Sequence, residues 1–377
     1  MRWIDLGGYD RRVDLERFRA EFPVLTRRVY LNTGTDGPLP KRAVEAARAQ
    51  LERESSEGRS GARHFDLLNQ MAEELRARLA GLLNADVDEV ALTRSTTDGI
   101  NLVLAGVDLK PGDEVLTSDE EHPGLLAPLG ALRRRGTAVS EVPLAEMVQA
   151  VGDRTKLIAV SHVSWMRGLA APIAELRATG IPLLIDGAQA LGAIPVDMRA
   201  LGCDFYAAAG QKWLCGPDAT GVLYVRRDRT EQLGMPWPSY ITLSDPARPL
   251  ELPPAPGARR FDCGEAAGPL VAAALGALDV LEAAGWDWIF ETASTQAQRL
   301  RDLLAGRVEL LPHGPTTLVT WRPPAVTDDE GAFELVQRLE NEDVIVRAFP
   351  GKPWLRASVG AWNSDADLKR LVTLIVR

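Results

Sequence analysis

The stretch Ile181–Trp213, IPLLIDGAQALGAIPVDMRALGCDFYAAAGQKW, decides the reading of this 377-residue chain. Ile181-Pro-Leu-Leu-Ile is a short apolar run with turn residues beyond it, the pattern of a strand buried in a parallel sheet. Asp186 ends that run, where a carboxylate is costly unless a cation or hydrogen-bond donors meet it. Lys212 lies 26 residues further on, in a glycine-flanked turn after a second apolar stretch, Phe205–Ala209. Burial lowers a lysine's pKa toward the neutral amine that attacks a carbonyl carbon. Taken singly, Asp186 also reads as a helix cap and Lys212 as a solvated loop residue. Together, at this spacing, they read as a site.

Outward from this block, strand and helix patterns alternate. Glu89–Thr93, Glu114–Ser118 and the runs AVSEVP, KLIAVSHVS, IPLLID, CDFYAAA and GVLYVR read as strands, with helices near Thr97–Ala105 and Leu125–Arg135 between them. Lys41–Glu54 and Leu67–Leu83 carry apolar residues at helical spacing. The fold class this predicts is α/β, a mostly parallel central sheet sandwiched by helices. Leu250–Gly257 (LELPPAPG) has four Pro or Gly among its eight residues and reads as a connection to a smaller α+β C-terminal domain. The expected organisation is an N-terminal segment (1–30) packing on the small domain, a large domain (31–249) carrying Asp186 and Lys212, and the small domain (250–377).

Bulk composition narrows the class. Hydrophobic content of 46% and charged content of 25% are ordinary globular values, which excludes disordered and fibrous chains. A net charge of -9 argues against a nucleic-acid binder. Three cysteines, Cys203, Cys215 and Cys263, form no CxxC pair and fit a reducing cytoplasm. The N-terminus lacks a signal-peptide core, and the longest apolar stretch, Pro269–Ala284, contains Asp279 and Glu282 and is too short to span a bilayer. No metal site and no membrane partner are read.

Polar clusters fall where the predicted strands end, which is where open α/β sheets bind ligands. TRSTTDGIN (Thr93–Asn101) joins a strand to a helix. Ser95, Thr96 and Thr97 offer hydroxyls there, and the helix offers free N–H groups, a phosphate cradle without a Walker loop. The same residues also read as a plain N-cap. SDEEHPG (Ser118–Gly124) presents His122, able to stack on a planar ring, and SHVSWMRG (Ser161–Gly168) presents Trp165 as an aromatic wall; a surface turn and core packing are the plainer readings. A phosphate cradle, a ring-stacking residue, a buried acid and a Schiff-base lysine together suit pyridoxal 5'-phosphate.

The order TxxTT…EH…SHVSW…DGAQ…QKWLCGP…LRASVGAWN resembles the class V aminotransferases among the fold-type I pyridoxal-phosphate enzymes, from about Tyr30 to the C-terminus. That family includes cysteine desulfurases, selenocysteine lyases, kynureninase and isopenicillin N epimerase-like proteins. The resemblance implies that Lys212 forms the aldimine, Asp186 holds the ring nitrogen protonated and Gln189 bonds the phenolic oxygen. It implies that His122 stacks on the ring with Trp165 beside it, and that Thr96 and Thr97, with Ser95 and Gln211, bind the phosphate. Arg356 matches the family's arginine for the substrate carboxylate, and Asn32 is the second substrate-binding candidate. A homodimer is implied as well. The chain departs from the pattern at Gln211 (usually His), at Ala209 (often Ser), at Trp165 (Asn in desulfurases) and at Gly264-Glu265 (often Gly-Thr). Arg259 or Arg260 is the candidate to restore charge near Glu265.

The function expected is a pyridoxal-phosphate enzyme acting on an amino acid through the Lys212 aldimine and a Cα carbanion, by transamination, epimerisation or C–S/C–Se lyase chemistry. Sulfur transfer of the desulfurase kind is disfavoured, because Val344–Ser358 holds no cysteine for a mobile loop. Cys215, three residues after Lys212, reads as a small buried apolar side chain. A ligand-binding member without turnover is the alternative from another class, and a dehydrogenase is excluded for want of GxGxxG. The sequence leaves the substrate open.

Overall fold

The computed structural model describes residues 13–264 and 266–375. A short first strand, β1 (Val29–Tyr30), lies outside the main layer. That layer is built from β2 (Val90–Thr93), β3 (Glu114–Ser118), β4 (Ala138–Val142), β5 (Thr155–Ser161), β6 (Leu183–Asp186), β7 (Phe205–Ala209) and β8 (Gly221–Val225), in the order β2-β8-β7-β6-β5-β3-β4. Neighbours from β7 through β4 pair in parallel, and only β8 runs against its two neighbours. The α/β class with a mostly parallel sheet therefore holds.

Both faces of the sheet are dry because successive residues of each strand are apolar and point to opposite sides. Leu157, Ala159, Leu184, Phe205, Ala207 and Leu223 face one core, and Ile158, Val160, Leu183, Ile185, Tyr206 and Val222 face the other. The first core is closed by α4 (Thr96–Gly106) and α5 (Pro123–Arg134), after α1 (Leu15–Arg19), α2 (Lys41–Glu57) and α3 (Ala62–Leu83) in the chain. Gly99 lets α4 lie directly on β7, since a Cβ there would sit 2.8 Å from that of Ala207. Leu75, Leu79 and Leu83 of α3 close the other side with the short helices α6 (Met147–Ala150), α7 (Ile173–Ala178) and α8 (Met198–Leu201). Each such leucine contributes about 1.5–3 kcal/mol by its burial.

Past the proline-rich connection, α9 (Gly268–Ala284), α10 (Trp286–Leu304), α11 (Asp329–Asn341) and α12 (Asp365–Ile375) accompany an antiparallel sheet. Its strands are β9 (Glu309–Leu310), β10 (Leu318–Arg322), β12 (Arg347–Phe349) and β13 (Lys352–Ser358), in the order β12-β13-β10-β9, while β11 (Val344–Ile345) pairs in parallel with β1. Thus Val29 and Leu31 belong to the core of this C-terminal unit. Conversely, Val271, Ala274 and Leu278 of α9 bury into the core of the large sheet, although the expected boundary at 250 places them with the small domain. Apart from Asp279 and Glu282 the helix is apolar, so it packs between units rather than on one of them. Phe18 and Phe22 pack with Ile289 and Trp362, and Arg19 pairs with Asp367. The first twelve residues of the expected N-terminal segment lie outside the described residues. Among those described, no single helix is long and apolar enough to cross a membrane.

One buried ion pair fixes the edge strand that leads into the Ser95–Thr97 turn. Arg76, 2% exposed on α3, donates to Asp262 Oδ2 at 2.7 Å and to the Val90 carbonyl at 2.7 Å, and Asp262 also accepts from Leu92 N at 2.8 Å. Asp262→Ala would leave a buried guanidinium short of its counter-charge. We expect it to cost about 3 kcal/mol, read as a lower midpoint in urea unfolding, with Asp262→Asn costing less.

Candidate active site

The parallel strands end on one edge of the sheet, and the residues just beyond them surround a cavity of about 320 Å³. Ser95, Thr96 and Thr97 come from the end of β2, His122 from β3, Trp165 from β5, Asp186 and Gln189 from β6, and Gln211 and Lys212 from β7. Gly34, Thr35, Arg347 and Arg356 close it from the side of the antiparallel sheet. All but one of the expected site residues thus meet in one place. The exception is Asn32. Its Oδ1 accepts from Thr35 Oγ1 at 2.9 Å and its backbone bridges Ser358, so it shapes the turn under the cavity instead of lining it.

Asp186 is buried and Lys212 half-buried, so the two share a site poor in water. Asp186, at the end of β6, is buried and receives one hydrogen bond, 2.9 Å from Ala188 N. Burial pushes its carboxyl up and the nearby Lys212 pulls it back. Burial carries the Lys212 amine down to about 8, with Asp186 opposing and Arg356 and Arg347 adding to the fall. An amine at that value is neutral about one time in ten at pH 7, against about one in three thousand for an ordinary lysine.

Around this pair each wall has a local cause. Ser95 caps α4, its Oγ accepting from Asp98 N at 3.0 Å, so the plainer reading of that hydroxyl is met while the first turn still aims its N–H groups at the cavity edge. Thr96 Oγ1 is buried without a partner, and Thr97 Oγ1 donates to the Gly124 carbonyl at 3.3 Å. His122 Nδ1 accepts from Gly124 N at 2.9 Å, which leaves the proton on Nε2. Burial and then Lys212 hold the ring near 4, hence neutral at pH 7. His122, Trp165 and Phe349 meet edge to face, with centroids 4.7 and 5.0 Å apart. Gln189 donates one N–H to the Gly34 carbonyl at 2.7 Å and accepts from Trp213 Nε1 at 3.2 Å, keeping a second N–H free.

The opposite wall is cationic. Arg356, fully buried on β13, donates from Nη1 to the Trp165 carbonyl at 2.6 Å, while its Nε and Nη2 have no partner. Burial and Arg347 bring it down to about 9, still charged at neutral pH. Arg347 donates to Thr35 Oγ1 at 2.9 Å and its guanidinium lies 5.6 Å from the centre of the Trp165 ring. Glycine at position 34 leaves these groups room: a Cβ would stand 2.8 Å from Arg356 Nη2 and 2.7 Å from Gln189 Oε1 and displace them. Sequence reasoning passed over Gly34 and Thr35, although they sit in the turn-rich YLNTGTDGPLP loop.

Arg259 pairs with Glu73, and Arg260 with Glu231 at 2.9 Å and the Ala255 carbonyl, so within one chain both already have partners. Glu265 lies outside the described residues. Trp237 and Tyr240 are 70% and 72% exposed, and Arg63 and His64 line a separate groove between α2 and α3.

The donor set fits pyridoxal phosphate. Orphaned buried donors (Thr96 Oγ1, Arg356 Nε and Nη2) line the cavity that holds the free helix terminus, the buried acid and the low-pKa amine. Sheet and cavity define an enzyme of the fold-type I pyridoxal-phosphate architecture. The chain belongs to the aminotransferase class-V family, whose pattern matches residues 29–317. It is 32% identical to the isopenicillin N epimerase of Streptomyces clavuligerus, over 95% of this chain and 96% of that one. It is 30% identical to the cysteine desulfurase of Enterobacter sp. (strain 638), over 96% and 98% of the two chains. Among solved structures, the cystine C–S lyase C-DES in complex with cysteine persulfide matches with a TM-score of 0.87 at 27% identity, over 94% and 99% of the chains. A C-DES mutant with glycine covalently linked to its pyridoxal-phosphate cofactor matches with a TM-score of 0.88 at 26% identity, over 95% and 98%.

The depressed Lys212 pKa sets a pH dependence. Neutral amine gains as pH rises through about 8, so covalent attachment of pyridoxal phosphate to the cofactor-free protein should speed up about eightfold between pH 6.5 and 7.5 and level off above about 8.5. Stopped-flow absorbance checks this; a rate still climbing tenfold per unit at pH 9.5 would place the amine near its ordinary value.

Proposed function

We propose that this enzyme acts on a free α-amino acid, with Lys212 moving a proton at Cα, so that the chemistry is epimerisation, transamination or C–S/C–Se cleavage and not persulfide relay. The observation that carries the reading is a low-pKa amine and a fully buried guanidinium, its Nε and Nη2 without partners, facing one cavity. Bound pyridoxal phosphate supplies a carbonyl carbon for the substrate amine and a protonated ring that draws electrons from Cα. Asp186 keeps the ring nitrogen protonated. Thr96, Thr97, Gln211 and the first turn of α4 hold the phosphate, with Ser95 shaping that turn, and the free N–H of Gln189 meets the phenolic oxygen. His122 and Trp165 form the wall against the ring. Arg356 offers Nε and Nη2 as a fork for the substrate carboxylate.

Against persulfide relay stands the state of the thiols. The turn between β12 and β13, Phe349-Pro-Gly-Lys352, holds no cysteine. Cys215 is fully buried, its Sγ lies against the Gly37 position, and burial raises its thiol well above the ordinary value. A thiol in that state is a poor nucleophile. We further propose a cytoplasmic homodimer, from the absence of disulfide pairing and the resemblance to two-fold relatives.

A charge-assisted fork is worth about 1.5–3 kcal/mol. Arg356→Ala should therefore weaken amino-acid binding about 10–150-fold while the resting cofactor spectrum stays the same. Titration of the holoenzyme with amino acids, followed by assays for keto acid, ammonia and sulfide, tests this and selects the substrate. Unchanged affinity would move the carboxylate to Arg347.

A further inference from the structure

Two buried acids next to His122 have no part in the reading above. Glu120 and Glu121, only 4% and 5% exposed, follow β3 in the turn Ser118-Asp-Glu-Glu-His122. Both reach across to the end of β5 instead of into the cavity. Glu121 accepts from Ser161 N at 3.0 Å and from the hydroxyls of Ser161 and Ser118, and among the described residues it meets no cation. Glu120 accepts from Ser164 Oγ and pairs with Arg167. Burial pushes the Glu121 carboxyl up to about 7, the three donors and the neighbouring Asp186 modifying that value.

These contacts bracket functional atoms. His122 follows Glu121 directly. Ser161 stands opposite Asp186 in the β5–β6 register. Trp165 lies between Ser164 and Arg167, and its carbonyl holds Arg356 Nη1. The turn has no regular secondary structure to fix it, so side-chain hydrogen bonds set its shape.

We infer that Glu120 and Glu121 are positioning residues, a clamp of two acids that fastens the His122 turn to the Trp165 loop and so sets the ring wall and, through the Trp165 carbonyl, the carboxylate fork. The inference rests on the proposed cofactor site. Glu121 carries the ring side, because it is covalently next to His122 and one strand from Asp186. Glu120 carries the substrate side, because its partners flank Trp165. Neither acid touches a reacting atom.

The test compares Glu121→Ala, Glu121→Gln and Glu120→Ala holoenzymes with the wild type. The readouts are pyridoxal-phosphate affinity, the visible circular dichroism of the bound cofactor, and amino-acid affinity. Gln keeps one carbonyl oxygen for Ser161 N, and the serine hydroxyls can turn to accept from its amide. Glu121→Gln should therefore stay close to wild type, while Glu121→Ala weakens cofactor binding on the order of tenfold and changes the induced dichroism. Glu120→Ala should leave the dichroism and weaken amino-acid binding severalfold. If Glu121→Ala does not fold, Ser161→Ala, which removes one hydroxyl from the same carboxylate, should alter the dichroism in the same direction by less. Unchanged affinity and dichroism in both Glu121→Ala and Ser161→Ala, or equal damage from Gln and Ala, would overturn the clamp. A wild-type protein that takes up no pyridoxal phosphate would instead overturn the site on which it rests.

Discussion

Everything at this site depends on two opposite charges drawn largely out of water at the ends of adjacent strands. Asp186 ends β6 and Lys212 lies just past β7, the acid buried and the amine half-buried, so neither ion has its full share of solvent. Each favours the other's charged form, yet burial wins at both, raising the acid and lowering the amine. The lysine is thereby kept partly neutral and the acid is left wanting a cation. A ligand with an electrophilic carbon and a basic ring nitrogen answers both needs at once. The parallel sheet is what imposes this, because it brings the ends of five strands and their polar turns to a single edge.

The second demand comes from the antiparallel sheet. Arg356 is carried on the central part of β13, where pairing with β10 and β12 leaves no freedom of backbone. Its guanidinium is fully buried, but only one of its three nitrogens is satisfied by the protein. The close approach of Gly34 and the edge-to-face series His122–Trp165–Phe349 keep that fork open to the cavity. The site is therefore a seam between two sheets, one fixing the cofactor groups and the other the substrate group.

Much of this was legible in the sequence. Apolar runs of five residues ending in a polar cluster announced the strands and the edge on which ligands gather, and the spacing of Asp186 and Lys212 marked the chemistry. The reversed direction of β8 was not legible, since GVLYV is apolar throughout and hydrophobicity carries no polarity of strand. Nor was the pairing of β1 with β11, because two-residue strands have no period to read. The side-chain bond of Asn32 to Thr35 was not legible either, because an amide in a turn bonds a near neighbour in sequence as readily as a ligand. The plainer reading of Ser118–Gly124 was a surface turn; the burial of Glu120 and Glu121 follows from long-range donors at Ser161, Ser164 and Arg167 that no local pattern discloses.

The central claim is that Lys212 is the residue whose amine is kept partly neutral to join the cofactor. Its most direct test is to load the protein with pyridoxal phosphate, reduce with borohydride, digest and sequence the labelled peptide. The account predicts a single label on the peptide containing Gln211-Lys212-Trp213, absent from Lys212→Ala. Label on any other lysine, or equal labelling of the Lys212→Ala protein, would contradict it.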